Sequence, residues 1–217
     1  VRRLNCPNGT IDLCTGELLP HRREDLLTTI TKVAFEPYNP FEAKTWESFL
    51  RRVQPDPEVR SFLQRLIGAS VLGEVREHLL PVHNGVGRNG KGTFFETLLY
   101  VLGEYATTVP EALLVESRGA DHPTLLATLY GKRLAVASET KQGDALHVSR
   151  MKQITGGDTI SCRRMREDWW DFIASHLLHL QTNHRPRVTD AGHAVWARLL
   201  LIEWGVTIPD AEQDLDL

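Results

Sequence analysis

With 217 residues and 41% hydrophobic side chains, the chain carries enough apolar material for one full domain and a smaller lobe. Its formal net charge of -3 excludes a general polycation, so any nucleic-acid contact must come from a local cluster. Three cysteines, Cys6, Cys14 and Cys162, form no C-x-x-C pair, and no histidine stands at zinc spacing from them. A disulfide framework and a structural zinc site are therefore not expected, and a reducing cytoplasm fits. No apolar run approaches a membrane span, and the opening from Val1 to Asn5 is not a signal peptide, so no membrane partner is expected. The start without Met is compatible with a piece of a longer protein.

Thr10–Leu13 and Glu17–Leu19 flank Cys14-Thr15-Gly16, which predicts a small β-hairpin turning at Gly16. Phe41 to Val53 reads as a helix with Phe41, Trp46, Phe49 and Leu50 on one side. Asp56 is a suitable N-cap with Pro57 at the first helical position. The helix that follows places Val59, Phe62, Leu63, Leu66 and Ile67 on one face. Residues 1–75 thus read as a small, mainly helical lobe with a hairpin, and residues 76–217 as an α/β nucleotide core. The arginines of the lobe, Arg51, Arg52, Arg60 and Arg65, read as a solvated helix face.

The stretch NGVGRNGKGTFF, from Asn84 to Phe95, organises the core. It follows a short apolar run, Leu79 to His83, and precedes a helical pattern from Phe94 to Leu99. Strand, glycine-rich loop and helix form the context of a phosphate-binding loop. Gly85, Gly87 and Gly90 let the backbone wrap an anion, and the loop from Gly85 through Asn89 to Thr93 is the candidate ATP cradle. Lys91 is expected to reach the β- and γ-phosphates as a point charge. The pattern G-x-x-x-x-G-K-[ST] is broken at Gly92, where a hydroxyl ligand for Mg²⁺ normally stands. Thr93 either supplies that hydroxyl or contacts the α-phosphate while water completes the metal shell.

Arg133 to Glu139 is an apolar strand ending in a carboxylate, the place where P-loop ATPases hold Mg²⁺ and orient the attacking water. Only Glu139 is acidic there, because Ser138 precedes it. Ala145 to Thr155 reads as a helix carrying Arg150 and Lys152. Thr159–Met165 and Trp169–Ile173 read as two strands joined at Arg166-Glu167-Asp168. Arg164 and Arg166 near that tip suit phosphates, and a tryptophan face suits a base, although at least one of Trp169 and Trp170 is expected in the core. A third apolar strand, His176 to Gln181, ends in Thr182-Asn183-His184, and a polar side chain at its tip is expected beside the γ-phosphate, between it and the strand of Glu139. Asn183 is placed to contact the γ-phosphate or the attacking water, with His184 as the alternative. Asp190 is read as the cap of a short helix before the strand Leu199–Ile202. Arg198 is the candidate arginine finger, against a surface salt bridge.

The order NGKGTF, KRLAVASET, MKQITGGDTISCRRM, LQTNHRP and VWARL resembles the superfamily-three helicases, and within them the phage and plasmid primase–helicase family. The opening, from GTIDLCTGELLPHR through WESFLRRV to FLQRLIGASVLG, resembles the lobe that precedes the ATPase there. The resemblance implies an AAA+-like core with a mostly parallel sheet, a homo-oligomeric and usually hexameric ring, and ATP-driven movement along single-stranded and forked DNA. It implies ATP and Mg²⁺ as cofactors, with Lys91 and Glu139 in binding and hydrolysis, Thr93 and Glu139 at the metal, and Asn183 as sensor. The segment from Lys152 through Arg163, Arg164 and Arg166 matches the family's extra motif and DNA-tracking hairpin. Arg198 matches an arginine that reaches a neighbouring subunit's ATP. Two departures stand out: Ala197 occupies a place where many relatives carry a second arginine, and no primase domain precedes the unit, so priming is expected from another segment or chain. The alternative reading is a nucleotide-dependent DNA-binding or loading factor that does not unwind, and the thin metal shell at Gly92 and Ser138 favours it.

Overall fold

Three apolar strands, LPVHN, LAVAS and LLHLQT, are buried along nearly their whole length, as strands of a parallel sheet covered on both faces must be. The computed structural model describes residues 2–116, 123–138, 143, 145–189 and 192–214. Its strands in chain order are β1 (Arg3–Cys6), β2 (Gly9–Asp12), β3 (Leu18–Leu19), β4 (Leu80–Asn84), β5 (Ala106–Val109), β6 (Leu134–Ser138), β7 (Thr159–Cys162), β8 (Trp170–Ile173), β9 (Leu177–Thr182) and β10 (Leu199–Glu203). The α-helices are α1 (Lys44–Val53), α2 (Pro57–Val71), α3 (Lys91–Leu102), α4 (Thr124–Ala127), α5 (Val148–Thr155) and α6 (His193–Trp196). Two compact units result, one of Val1–Leu72, Val86–Ala106 and Trp204–Leu217, the other of Gly73–Gly85 and Thr107–Glu203.

The second unit holds a sheet of order β10-β4-β9-β6-β5. β10 runs parallel to β4, β4 to β9, and β9 to β6. β9, which leads to Asn183, therefore lies between β4, which leads to the glycine loop, and β6. The register pairs Glu203 with Asn84, Asn84 with Thr182, and Ser138 with Gln181, so these four strand ends share the carboxyl edge. The core beneath is a cluster that includes Leu80, Val82, Leu146, Met151, Ile154, Ile160, Leu178 and Leu180. β7 and β8 form the expected antiparallel hairpin, Thr159 opposite Ile173 and Cys162 opposite Trp170. α5 begins at Val148 rather than Ala145. Ala145 and Leu146 are drawn into bridges with Arg187 and Val115, and the His147 ring accepts the Arg150 N–H to start the helix.

β4 and β9 each bury a histidine. His83 Nε2 and His179 Nδ1 lie 3.1 Å apart, and neither side chain is exposed. Burial lowers the His179 pKa to about 3. It lowers His176 to about 4, against a smaller opposing contribution from the Ile154 backbone. The folded chain keeps both rings neutral, whereas an unfolded chain protonates them near 6.5. Below that pH the unfolded state binds more protons, so stability falls as the pH drops from 6.5 towards 4, by up to about 1.4 kcal/mol per pH unit for each ring. Urea titrations across this range should show the loss, and His176→Phe should flatten the slope by one proton. An unchanged slope in that variant would clear His176 as a source.

In the first unit, β2 and β3 are the expected hairpin, with Gly16 at φ 78 in its turn. β1 adds a third antiparallel strand that the sequence reading lacks. The lobe is also less helical than expected, since between β3 and α1 only Arg23–Asp25 forms a 3-10 turn. α1 starts at Lys44, and Phe41 lies before it and is exposed rather than on the packed face. Asp56 caps α2 by accepting the Glu58 N–H at 2.8 Å, with Pro57 at the first position. Trp46 of α1 stacks on Phe94 of α3 with centroids 5.8 Å apart, and Phe94 meets Trp204 at 5.3 Å. These rings join the three separate segments of this unit.

Candidate functional site

The glycine-rich loop leaves β4 at Gly85, whose N–H donates to the Thr182 carbonyl at 3.2 Å. The following residues belong to the first unit. Gly87, Arg88 and Gly90 have φ of 92, 50 and 81, left-handed backbone that curls the loop tightly ahead of α3. Gly90 is fixed by space as well, because an added Cβ would lie 2.4 Å from Val53 Cγ1 and 3.0 Å from Phe49 Cε2. Asn89 is buried; its Nδ2 donates to the Trp204 carbonyl at 3.3 Å, and its Oδ1 accepts the Lys91 N–H at 3.4 Å. Lys91 opens α3 and is only 2% exposed. The ammonium and the amino end of α3 both bring positive charge to this position, which favours an anion. At Gly87 and Gly92 an added Cβ would meet nothing within 4 Å, so there is open room at the turn. Gly92 lies within α3, and the half-buried Thr93 follows it. The loop's donors and its free space fit a polyphosphate.

At the carboxyl edge of the second unit, Thr182 Oγ1 donates to the His184 carbonyl at 2.7 Å and thereby shapes the turn that carries half-buried Asn183. His184 is exposed. Glu139 lies outside the described residues, as does Asp190; the helix α6 begins after Gly192. Ser138, which precedes Glu139, ends β6 at this edge. One carboxylate here was missed by the sequence reading. Glu203 accepts from Asn84 Nδ2 at 2.7 Å and pairs with Arg185 at 2.6 Å. Its signal was the same one used for Glu139, an apolar strand ending in an acid. Among the described residues, no group of three or more His, Cys, Asp or Glu could hold a metal ion.

Arg198 sits at the opposite edge. Its carbonyl accepts the Leu80 N–H at 2.7 Å at the start of β4, and its Nη1 donates to the Ala194 carbonyl at 2.8 Å. The length of β10 separates it from Glu203, about 16 Å at the rise of an extended strand. At the hairpin tip, Arg163, Arg164 and Arg166 are all exposed, and Arg166 turns the chain at φ 64. Arg163 lies 5.3 Å over the ring of Trp169, which is 59% exposed. Trp170 packs against Tyr130 at 4.8 Å, so one tryptophan is structural and the other faces solvent. Lys152 is on α5 and half-buried, apart from this cluster in sequence and element.

A family model described as "Family of unknown function (DUF5906)" matches residues 83–198, more than half of the chain. The chain belongs to that family. The DUF5906 match runs from His83 to Arg198 and so contains the glycine loop from Gly85, Glu139, the hairpin and Asn183. A second model, "D5 N terminal like", matches residues 1–55 of this DUF5906 chain. The chain is 29% identical over 202 residues to "Putative helicase L207/L206" of Acanthamoeba polyphaga mimivirus, covering 92% of itself and 20% of the relative. It is 24% identical over 203 residues to "Putative primase C962R" of African swine fever virus (isolate Tick/Malawi/Lil 20-1/1983), covering 90% of itself and 21% of the relative. The chain therefore spans about one fifth of the length of these curated relatives. The apo structure of the NrS-1 C terminal region superposes with a TM-score of 0.59 at 16% identity, over 83% of this chain and 40% of that one, which shows a shared fold. The resemblance to phage-type primase–helicases that the motif order carries is borne out. No described helix is long and apolar enough to cross a membrane.

Proposed function

We propose that this DUF5906 chain is the ATP-hydrolysing module of a DNA helicase with an AAA+-like core, acting in phage- or plasmid-type replication. The observation that carries the reading is the left-handed run at Gly87, Arg88 and Gly90 leading into buried Lys91 at the start of α3. Backbone N–H groups and the Lys91 ammonium bind the phosphates there. ATP supplies free energy through cleavage of its terminal phosphoanhydride bond. Thr93 Oγ1 and the Glu139 carboxylate would hold Mg²⁺, which neutralises phosphate charge when bound. Glu139 orients the attacking water and takes its proton, Asn183 hydrogen-bonds the γ-phosphate or that water, and Arg198 serves the site of a neighbouring subunit in a ring, hexameric by resemblance. The hairpin carries Arg163, Arg164 and Arg166 to the phosphates of one DNA strand, with Trp169 as a stacking face and Lys152 in support. Priming falls to another segment or chain.

The second reading, a nucleotide-dependent binding or loading factor, draws on Gly92 and Ser138, which leave few protein ligands for the metal. Strand displacement on a forked duplex, run beside sizing with ATP, separates the two. The helicase reading expects a ring with ATP and displaced strand; a monomer that holds ATP and displaces nothing would transfer the case to the loading factor. For the hairpin, Arg164→Ala combined with Arg166→Ala should weaken single-strand binding. Each lost phosphate contact should reduce the slope of log affinity against log salt by about 0.7. A slope equal to that of the unmodified protein would remove the hairpin from the DNA path.

A further inference from the structure

Glu203 has no step of its own in the proposed hydrolysis, yet its carboxylate reaches two segments that matter to it. Glu203, Asn84 and Thr182 stand side by side at the carboxyl edge, because the register pairs Glu203 with Asn84 and Asn84 with Thr182. Glu203 Oε2 accepts from Asn84 Nδ2 at 2.7 Å, and Asn84 is the last residue of β4 before Gly85. The other oxygen, Oε1, accepts from Arg185 Nη2 at 2.6 Å, and Arg185 stands two residues beyond Asn183. One carboxylate thus joins the end of β10 to the end of β4 and to the turn that follows β9. All of these residues belong to the second unit.

We propose that Glu203, acting through Arg185, is a positioning residue for Asn183. The proposal rests on the ATP-hydrolysing reading, in which Asn183 hydrogen-bonds the γ-phosphate or the attacking water. The turn after β9 is held at both ends. The Thr182 carbonyl accepts the Gly85 N–H at 3.2 Å, and the Arg187 carbonyl accepts the Leu146 N–H at 2.9 Å. Between these anchors Pro186 restricts the backbone of Arg185, so a hold on the guanidinium is also a hold on the turn. Because the same carboxylate grips Asn84, the turn is set against the strand that feeds the glycine loop as well as against β10. Magnitudes decide the kind of role. The side chains of Arg185 and Glu203 are 69% and 46% exposed, and an exposed ion pair adds little to the stability of a fold. A misplacement of about 1 Å near reacting groups, in contrast, costs on the order of 10²-fold in rate. The pair therefore acts on turnover and not on melting.

Steady-state ATP hydrolysis by Glu203→Ala, Arg185→Ala and the double variant, with melting curves beside it, tests this. Each single substitution should lower kcat by about tenfold or more, with KM for ATP within about twofold and the melting temperature unchanged. The double variant should be no slower than Glu203→Ala alone, since the two residues act through one contact. Arg185→Lys should recover most of the turnover lost in Arg185→Ala, because one charged donor suffices for one carboxylate oxygen. Unchanged kcat in both single variants would overturn the positioning role. So would losses that multiply in the double variant, a lysine variant as slow as the alanine one, or a raised KM with a lowered melting temperature, which marks a merely structural pair. If the unmodified protein hydrolyses no ATP, the ATP-hydrolysing reading itself fails and the role of Glu203 falls with it.

Discussion

Lys91→Ala is expected to reduce ATP hydrolysis by at least about 10²-fold, the scale seen when one preorganised charge-stabilising group is removed from a phosphoryl or acyl transfer site. The side chain is 2% exposed, so its charge acts in a poorly screened environment and no mobile solvent cation reproduces it. Alanine is a good helix former, and position 91 is the first residue of α3, so the fold should tolerate the change. Glu139→Gln should give a different phenotype: nucleotide still binds, because the loop is intact, but the attacking water loses its base. Steady-state hydrolysis with and without single-stranded DNA, beside nucleotide binding, separates the two. Original rates in both variants would end the assignment of this site.

Arg198→Ala should lower turnover more, by about 10³–10⁵, if its guanidinium stabilises the transferring phosphoryl group. The geometry sharpens the expectation. Arg198 stands at the amino edge of its own sheet, a strand length away from the edge that carries Asn84, Thr182 and Glu203. It does not lie at that edge of its own chain, so an arginine finger at this place would have to serve a neighbouring subunit. To extend, it must release the bond from Nη1 to the Ala194 carbonyl, a cost of about 1 kcal/mol that new contacts to phosphate readily offset. Mixing Arg198→Ala with Lys91→Ala subunits should therefore recover part of the hydrolysis, because some interfaces then pair an intact finger with an intact loop. Absence of recovery at every ratio would argue that Arg198 is a surface group.

Local signals were legible where they were chemically strong. The glycine loop, the β7–β8 hairpin and the Asp56–Pro57 start of α2 each carry residues whose backbone demands are specific. The place of β9 between β4 and β6 is read from the register rather than from any local pattern. What escaped were features decided at long range. β1 has only four residues, too few for alternation to identify. The late start of α5 is set by bridges to Arg187 and Val115, which no local pattern announces. Phe41 was counted with the packed face by spacing alone, but the helix begins only at Lys44. Glu212 and Asp210, in the tail after β10, reach Arg52 and Arg88 across 160 and 122 residues of chain. Acids spaced so far from their partners look like ordinary solvated residues. Glu203 was recoverable, since it ends an apolar strand, the same pattern by which the sequence singles out Glu139.

The ring stack that joins Trp46, Phe94 and Trp204 has a practical corollary for anyone who trims this chain. A shortened protein that begins after α2 would strip Phe94 of one flat neighbour and take Val53 and Phe49 away from the floor under Gly90. One that stops at β10 would remove the other neighbour and the carbonyl that holds Asn89. The lysine-bearing turn thus borrows its rigidity from stretches of chain well before and well after it.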